Sequence, residues 1–192
     1  CNFLQIRSRN ALYFLASLDC ASSTGPDGLS TIFLRNLADV LCFPFARLAR
    51  RILCTGRWPA SWKQHWICPL HKRKSRSSPS NYRGLQLTSQ LSKAMERLLG
   101  VHFLPQLALS GNFGTNQFAY RRFHCARVAI LYVLLTWLRA LAKGCKVGVY
   151  CSDVAAAFDR VSTFKLLQKL RCSSVHPKII AHWLVGRRGE VI

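Results

Sequence analysis

The pattern of apolar and polar positions along the chain predicts a series of helices. Residues 30–54 carry apolar side chains at the spacing of one helical face, and Pro44 is expected to kink or divide this stretch. Further helices are predicted over about 91–99, 126–142, 164–170 and 179–184. The stretch 126–142 is long and apolar, so it is expected to be a buried helix.

A different pattern predicts strands. Trp62 to Leu70 alternates loosely, and Arg83 to Thr88 is expected to return beside it, with the basic, serine-rich stretch 71–80 as an exposed loop. Val147 to Cys151 is apolar at every position, as expected of a central strand. Residues 190–192 have the character of a strand beginning. Helices packed on a sheet in mixed order indicate an α+β fold.

Composition and charge narrow the classes of protein. The 192 residues include 28 Lys and Arg against 7 Asp and Glu, a formal net charge of +21, and half of them are apolar. Such a chain can bury a core of one domain or slightly more, and its charge favours polyanions, nucleic acid first. An acidic metalloenzyme, a calcium module and a secreted disulfide scaffold are disfavoured.

The nine cysteines are scattered and form no C-x-x-C pair, so they are interpreted as reduced core thiols of an intracellular protein. His65, Cys68 and His71 have a metal-like spacing. On a strand, however, residues three apart do not share a face, so ordinary strand residues are the favoured interpretation over zinc ligands.

No membrane segment is predicted. The longest uncharged apolar run, Val128 to Leu138, has 11 residues between two arginines, which is too short to span a bilayer. The first residue, Cys1, is not a methionine, and the chain stops at 190–192, which has the pattern of a strand beginning. These two features predict a fragment of a longer polypeptide.

The stretch 147–159 is the first candidate for chemistry. A buried strand that ends at Asp153 would place a carboxylate at a sheet edge, and Phe158 would supply a flat wall five residues later. Phosphoryl transfer to a nucleotide uses carboxylates in this way, to hold divalent ions. The alternative is that Asp153 and Asp159 only cap a turn and a helix, because D-x-x-x-x-x-D is a weak signal.

The basic hairpin is the second candidate. Its positive side chains can bind a triphosphate or a nucleic-acid backbone, and they are Lys72, Arg73, Lys74, Arg76 and Arg83. A solvated loop, or a nuclear-import patch at 71–76, is the competing interpretation. Aromatic and basic residues also alternate at 82–83 and 118–123, where they can stack bases or belong to the core.

Taken in order along the chain, these segments resemble the reverse transcriptase of non-LTR (LINE-like) retrotransposons. The similarity covers roughly residues 24–190. The matching segments, in order, are Gly25-Pro26-Asp27-Gly28-Leu29, Gly56-Arg57-Trp58-Pro59-Ala60-Ser61-Trp62-Lys63, Cys68-Pro69-Leu70-His71-Lys72, Asn81-Tyr82-Arg83-Gly84-Leu85-Gln86-Leu87, Leu91-Ser92-Lys93-Ala94-Met95-Glu96-Arg97 and Asn116-Gln117-Phe118-Ala119-Tyr120-Arg121. Residues 152–159 look like the family's motif A.

The resemblance implies a right-hand polymerase fold, with residues 24–145 as fingers, 146–192 as proximal palm, and 1–23 unassigned. It also implies an enzyme that transfers deoxynucleotides from dNTPs to the 3′-OH of a DNA primer on an RNA template, with two Mg²⁺ ions. It implies nuclear localisation, which the basic run at 71–76 supports weakly.

Site residues follow from the resemblance position by position. Asp153 resembles the catalytic carboxylate that binds both Mg²⁺ ions, with the carbonyl of Val154 as a second ligand. Phe158 matches the residue that blocks a ribose 2′-OH, and Lys72 and Arg83 match residues that grip the triphosphate. The nucleic-acid contacts implied are Lys74, Arg76, Gln117, Arg121 and Arg122, and Asp159 is implied to be structural.

The sequence also departs from the family pattern. Gly84-Leu85-Gln86 replaces Pro-Ile-Ser, and 123–126 replaces the usual run after Arg121, which affects the predicted template contacts. No [YF]-x-D-D motif is present. We therefore expect this chain to be catalytically inert alone. The alternatives are a non-catalytic nucleic-acid-binding relic of such an element and an ordinary helical interaction protein.

Overall fold

The computed structural model describes residues 6–73, 75–109, 111, 114, 116–121, 123–171 and 177–192. It has mixed α and β content, so the predicted α+β class is confirmed at that level. The helices are α1 (Ser8–Ala16), α2 (Thr31–Asn36), α3 (Ala38–Thr55), α4 (Gln90–Leu109), α5 (Ala126–Ala142), α6 (Thr163–Arg171) and α7 (Pro177–Leu184). The strands are β1 (Gln64–His71), β2 (Tyr82–Thr88) and β3 (Arg188–Val191).

The three strands form one small sheet in the order β2-β1-β3. β1 pairs antiparallel with β2, from His65 opposite Thr88 to His71 opposite Tyr82, so the predicted hairpin is confirmed. β3 lies parallel to β1 on its other side, with Gln64 opposite Arg188. The strand predicted to start at 190–192 therefore exists, and it begins at Arg188.

The helical region 30–54 is divided at a different residue from the one predicted. α2 and α3 are separated at Leu37, whereas Pro44 lies inside α3. Of the two predicted effects of Pro44, a division of the helix is therefore wrong, and a kink stays a prediction. Proline at this position removes the hydrogen bond to the carbonyl of Val40. Both Pro44 and Val40 are exposed, so water can solvate that carbonyl and the helix continues.

The core is built mainly from α1, α3 and the first half of α4. Leu15, Ile52, Met95 and Leu98 are among its fully buried side chains. The N-terminal stretch, which carries no readable motif, supplies four core residues, namely Ile6, Ala11, Leu15 and Leu18. Residues 6–18 are thus part of the packed body, because the apolar face of α1 rests on α3.

α7 brings distant residues onto this core. The indole Nε1 of Trp183 donates to Glu96 Oε1 at 3.1 Å, and Lys63 Nζ donates to the carbonyl of Val185 at 3.0 Å. The backbone N–H of Trp58 donates to His182 Nδ1 at 2.9 Å. These three hydrogen bonds fix the region of α7 against the segment between α3 and β1 and against α4.

α5 is present with the predicted bounds, but its predicted burial was wrong. None of its described side chains is buried, and Ile130 and Leu138 are each 60% exposed. A helix that is apolar on all sides needs neighbours on all sides. Within the described residues no element packs closely against α5, so its apolar surface remains open.

The predicted central strand at Val147 to Cys151 is not formed, and this prediction was also wrong. The backbone there belongs to no strand, and Tyr150 is 90% exposed. A strand that is apolar on both faces depends on flanking strands and on layers above and below it. The sheet of the described residues is completed by β3 beside β1, and 147–151 has no partner in it.

The cysteines correct a further expectation. Among the described residues the thiols are free, but only Cys42 is buried, and Cys20, Cys54, Cys125, Cys145 and Cys151 are exposed. The interpretation as core thiols was therefore wrong for most of them. No helix in the described parts of the chain is long and apolar enough to cross a membrane.

Candidate functional site

The end of the β1–β2 hairpin carries two of the predicted triphosphate-binding residues. Arg83 is opposite Leu70 in the antiparallel register, and the N–H of Lys72 donates to the carbonyl of Asn81 at 2.8 Å, which continues the ladder by one step. Alternation along a strand then places Lys72 and Arg83 on one face as diagonal neighbours. Both are exposed, so two positive charges are available to one anionic ligand.

The loop between the strands is closed by its own polar groups. Asn81 Nδ2 donates to the carbonyl of Ser75 at 2.7 Å, and the Tyr82 hydroxyl donates to the carbonyl of Arg76 at 2.9 Å. These bonds fold the loop back onto the strand ends. The side chain of Arg76 remains exposed, whereas the predicted contact Lys74 lies outside the described residues.

The glycine-containing segment Gly25 to Leu29 packs against the junction of β2 and α4. A Cβ on Gly25 would lie 2.6 Å from the backbone carbon of Thr88 and from the backbone nitrogen of Ser89. Gln90 Nε2 also donates to the carbonyl of Ser23. The segment Gly25 to Leu29 thus contacts the backbone that links two later segments of the family resemblance, at the base of the hairpin.

Gln117 and Arg121 use their side chains within their own loop. Arg121 Nη1 donates to the carbonyls of Gly114 at 3.2 Å and of Gln117 at 3.3 Å, and Gln117 Nε2 donates to the carbonyl of Ala119 at 3.1 Å. These contacts shape the loop and leave Tyr120 88% exposed. Arg122 lies outside the described residues.

The motif A stretch lies on the surface. Asp153 and Asp159 are exposed, Val154 is 59% exposed, and the ring of Phe158 is 81% exposed. The backbone turns at Ala156, where φ is 53°, and the N–H of Arg160 donates back to that residue's carbonyl at 3.1 Å. The Asp153 carboxylate therefore does not lie at the edge of a sheet as predicted, because residues 147–151 before it do not form a strand. The structural role of Asp159 stays a prediction.

Metal ligands are not gathered in the described part of the chain. It holds no group of three or more His, Cys, Asp or Glu side chains able to bind an ion. Two-metal catalysis needs several oxygen ligands at one place, so Asp153 and the Val154 carbonyl alone do not fit a Mg²⁺ pair in this arrangement. All three residues of the metal-like spacing lie on β1. Alternation along a strand places His65 and His71 on one face and Cys68 on the other, as the spacing predicted.

One basic surface had no place in the sequence interpretation. The outward face of α3 carries Arg47, Arg50 and Arg51, all exposed. Their spacing of three and four residues was readable from the sequence as one helical face. The sequence interpretation assigned nucleic-acid binding to the denser run of basic residues at the hairpin instead.

Comparison with known proteins gives relatives but no matching family model. The chain is 30% identical over 141 residues, 70% of its length, to the "Probable RNA-directed DNA polymerase from transposon X-element" of Drosophila melanogaster. It is 27% identical over 167 residues, 86% of its length, to the "Probable RNA-directed DNA polymerase from transposon BS" of the same organism.

The two matches cover 15% and 18% of the relatives' own lengths, so the chain spans less than a fifth of either protein. Both relatives are named as probable RNA-directed DNA polymerases from transposons. The resemblance seen in the ordered motifs is therefore confirmed.

Proposed function

We propose that this chain is the fingers and proximal palm of an RNA-directed DNA polymerase of a non-LTR retrotransposon. Residues 24–145 are assigned to the fingers and 146–192 to the palm, within a nuclear enzyme that uses an RNA template, a DNA primer and dNTPs. The observation that carries the proposal is the match of most of the chain to two such polymerases. The ordered motifs agree with it.

The hairpin supplies the first part of the proposed mechanism. Lys72 and Arg83 lie on one exposed face, where their charges can hold a triphosphate in a fixed orientation. Phe158 would contact the sugar of the same nucleotide and exclude a 2′-OH by its volume. A ligand held by two charged anchors and a ring has little freedom at its α-phosphate, which lowers the entropic cost of attack.

The second part depends on segments beyond the described residues. Mg²⁺ supplies charge stabilisation at the reacting phosphate when bound. Asp153 is the proposed ligand, and it is exposed, with no cluster of metal-binding side chains around it among the residues that the structure describes. We therefore propose that this chain alone does not incorporate nucleotides, and that further carboxylates from a longer polypeptide are needed.

Primer extension on RNA by the complete reading frame tests the assignment. Asp153→Asn is expected to lower dNTP incorporation by ~100-fold or more, because a metal-binding carboxylate is worth several kcal/mol. Asp19→Asn is the matched control, because it makes the same chemical change at an exposed carboxylate outside residues 24–190, and it is expected to retain activity. Equal activity of Asp153→Asn and the parent would overturn the proposal.

A second candidate function is a non-catalytic nucleic-acid-binding relic of such an element. The net charge of +21 and the exposed, unclustered Asp153 favour it. A complete reading frame that binds primed RNA but incorporates no dNTP would support this candidate over the enzyme.

A further inference from the structure

The outward face of α3 combines an aromatic ring with three guanidinium groups. Its core side is formed by Cys42, Ala46 and Ala49, among others. At 100° per residue, Phe43, Arg47 and Arg51 fall on the opposite side, and Arg50 lies beside them. Phe43 is 65% exposed and the three arginines are exposed as well.

The positive charges of this face are not neutralised by partners among the described residues. In the described parts of the chain, the side chains of Arg47, Arg50 and Arg51 take part in no hydrogen bond or ion pair. Asp39, in the first turn, is the only acidic residue of α3. It lies eight residues before Arg47, about 12 Å along the axis. The arginines are therefore free to meet an external anion.

Phe43 is the second observation and points to the kind of anion. An exposed ring costs hydration free energy, and here it lies one helical turn, about 6 Å, before Arg47. Single-stranded nucleic acid offers bases that can stack on a ring and phosphates that can meet guanidinium groups. A duplex stacks its bases against one another, so it offers the ring few free base faces. A single strand offers an unpaired base beside each phosphate, which matches a ring one helical turn from an arginine.

We propose that the outward face of α3, defined by Phe43, Arg47, Arg50 and Arg51, binds single-stranded nucleic acid. One base stacks on Phe43 and the neighbouring phosphates contact the arginines. This surface is separate in sequence and element from the hairpin that is proposed to hold the triphosphate. The proposal is independent of catalysis, because binding by the 192-residue chain can be measured without incorporation.

Binding of a labelled oligouridylate to this chain at several salt concentrations tests the arginines. Each phosphate contact to a single strand contributes about 0.7 to the slope of log K against log salt. Changing Arg47, Arg50 and Arg51 to Gln together is expected to reduce that slope by about 2. The matched control changes Arg127 and Arg139 of α5, together with Lys143 directly after it, to Gln. It removes the same charge and should leave the slope nearly unchanged.

Phe43→Ala tests the stacking contact separately. It is expected to weaken oligouridylate binding roughly tenfold while leaving the salt slope intact. Phe164→Ala, which removes another exposed ring, is expected to have no effect. Because all these side chains are exposed, unfolding curves of the variants should coincide with the parent's.

Three results would overturn the proposal. One is an unchanged salt slope in the triple α3 variant. Another is an equal loss of slope in the α5 control, which would show that only total charge matters. The third is that a duplex of equal length binds as tightly as the single strand and that Phe43→Ala does not change the affinity for the single strand.

Discussion

Gly25 occupies a position at which the backbone of the β2–α4 junction leaves no room for a side chain. An added Cβ would meet Thr88 and Ser89 at 2.6 Å, and backbone atoms cannot move aside as the end of a flexible side chain can. Gly25→Ala is therefore expected to lower the free energy of unfolding by about 1–3 kcal/mol in urea denaturation. Gly148→Ala is the control, because nothing lies within 4 Å of that position. Equal stability of the two variants would contradict this packing.

His182 couples the stability of the chain to pH. Burial, followed by the positive charges of Lys63 and Arg57, lowers the pKa of His182 below its ordinary value of 6.5. Its Nδ1 accepts the N–H of Trp58, which requires that nitrogen to be unprotonated. In the unfolded chain the imidazole takes up a proton more readily, so protonation favours unfolding.

The contribution of His182 is thus fully present above pH 6.5 and is lost as the pH falls from there towards the lowered pKa. Urea unfolding at pH 7.5 and 5.5 measures it. His182→Gln is expected to lose less stability between these two conditions than the parent, because no imidazole at 182 can be protonated. His102→Gln retains His182 and should keep the parent's difference. A larger pH dependence in His182→Gln would contradict the assignment.

α3 shows which features of an element can be predicted from its own sequence. Its apolar period and the end at Gly56, which adopts a left-handed conformation, are local and were readable. The position of the break between α2 and α3 could not be predicted. Pro44 is exposed and is accommodated within α3, and leucine, the residue at 37, is not a helix breaker. The hairpin could also be predicted, because its two strands are close in sequence and their pairing is a local feature.

Pro44 gives a prediction at the scale of this helix. Pro44→Ala restores an N–H that can donate to the carbonyl of Val40, and alanine has the highest helix propensity. With the helix geometry already in place and the side chain exposed, we expect about 1–3 kcal/mol of added stability. The urea midpoint measures this gain, and an unchanged or lower midpoint would show that the proline is accommodated without cost.

The whole molecule divides into residues that form a core and residues that do not. α1, α3 and the first half of α4 share one apolar cluster, whereas 148–161 is exposed and α5 has no buried side chain. Sequence could not distinguish these, because Val147 to Cys151 and α5 are as apolar as the core itself. Burial depends on partners distant in the chain. For the same reason, the sequence could name candidate site residues one by one. It could not predict whether other metal ligands lie close to Asp153, because that depends on how distant segments pack.

Amide hydrogen exchange measures that division directly. An amide is protected from exchange when its hydrogen bond opens only together with a packed region. An isolated helix of 17 residues is marginally stable in water and gives little such protection. The amides of α5 are therefore expected to exchange at least about 100-fold faster than those of α3 around Ala49, which open only with the core. Changing Leu131, Leu135 and Leu138 to Gln should leave the protection of α3 intact, because these side chains lie outside the core. Equal protection of the two helices would mean that α5 is covered by another surface in solution, and the same triple change would then deprotect it.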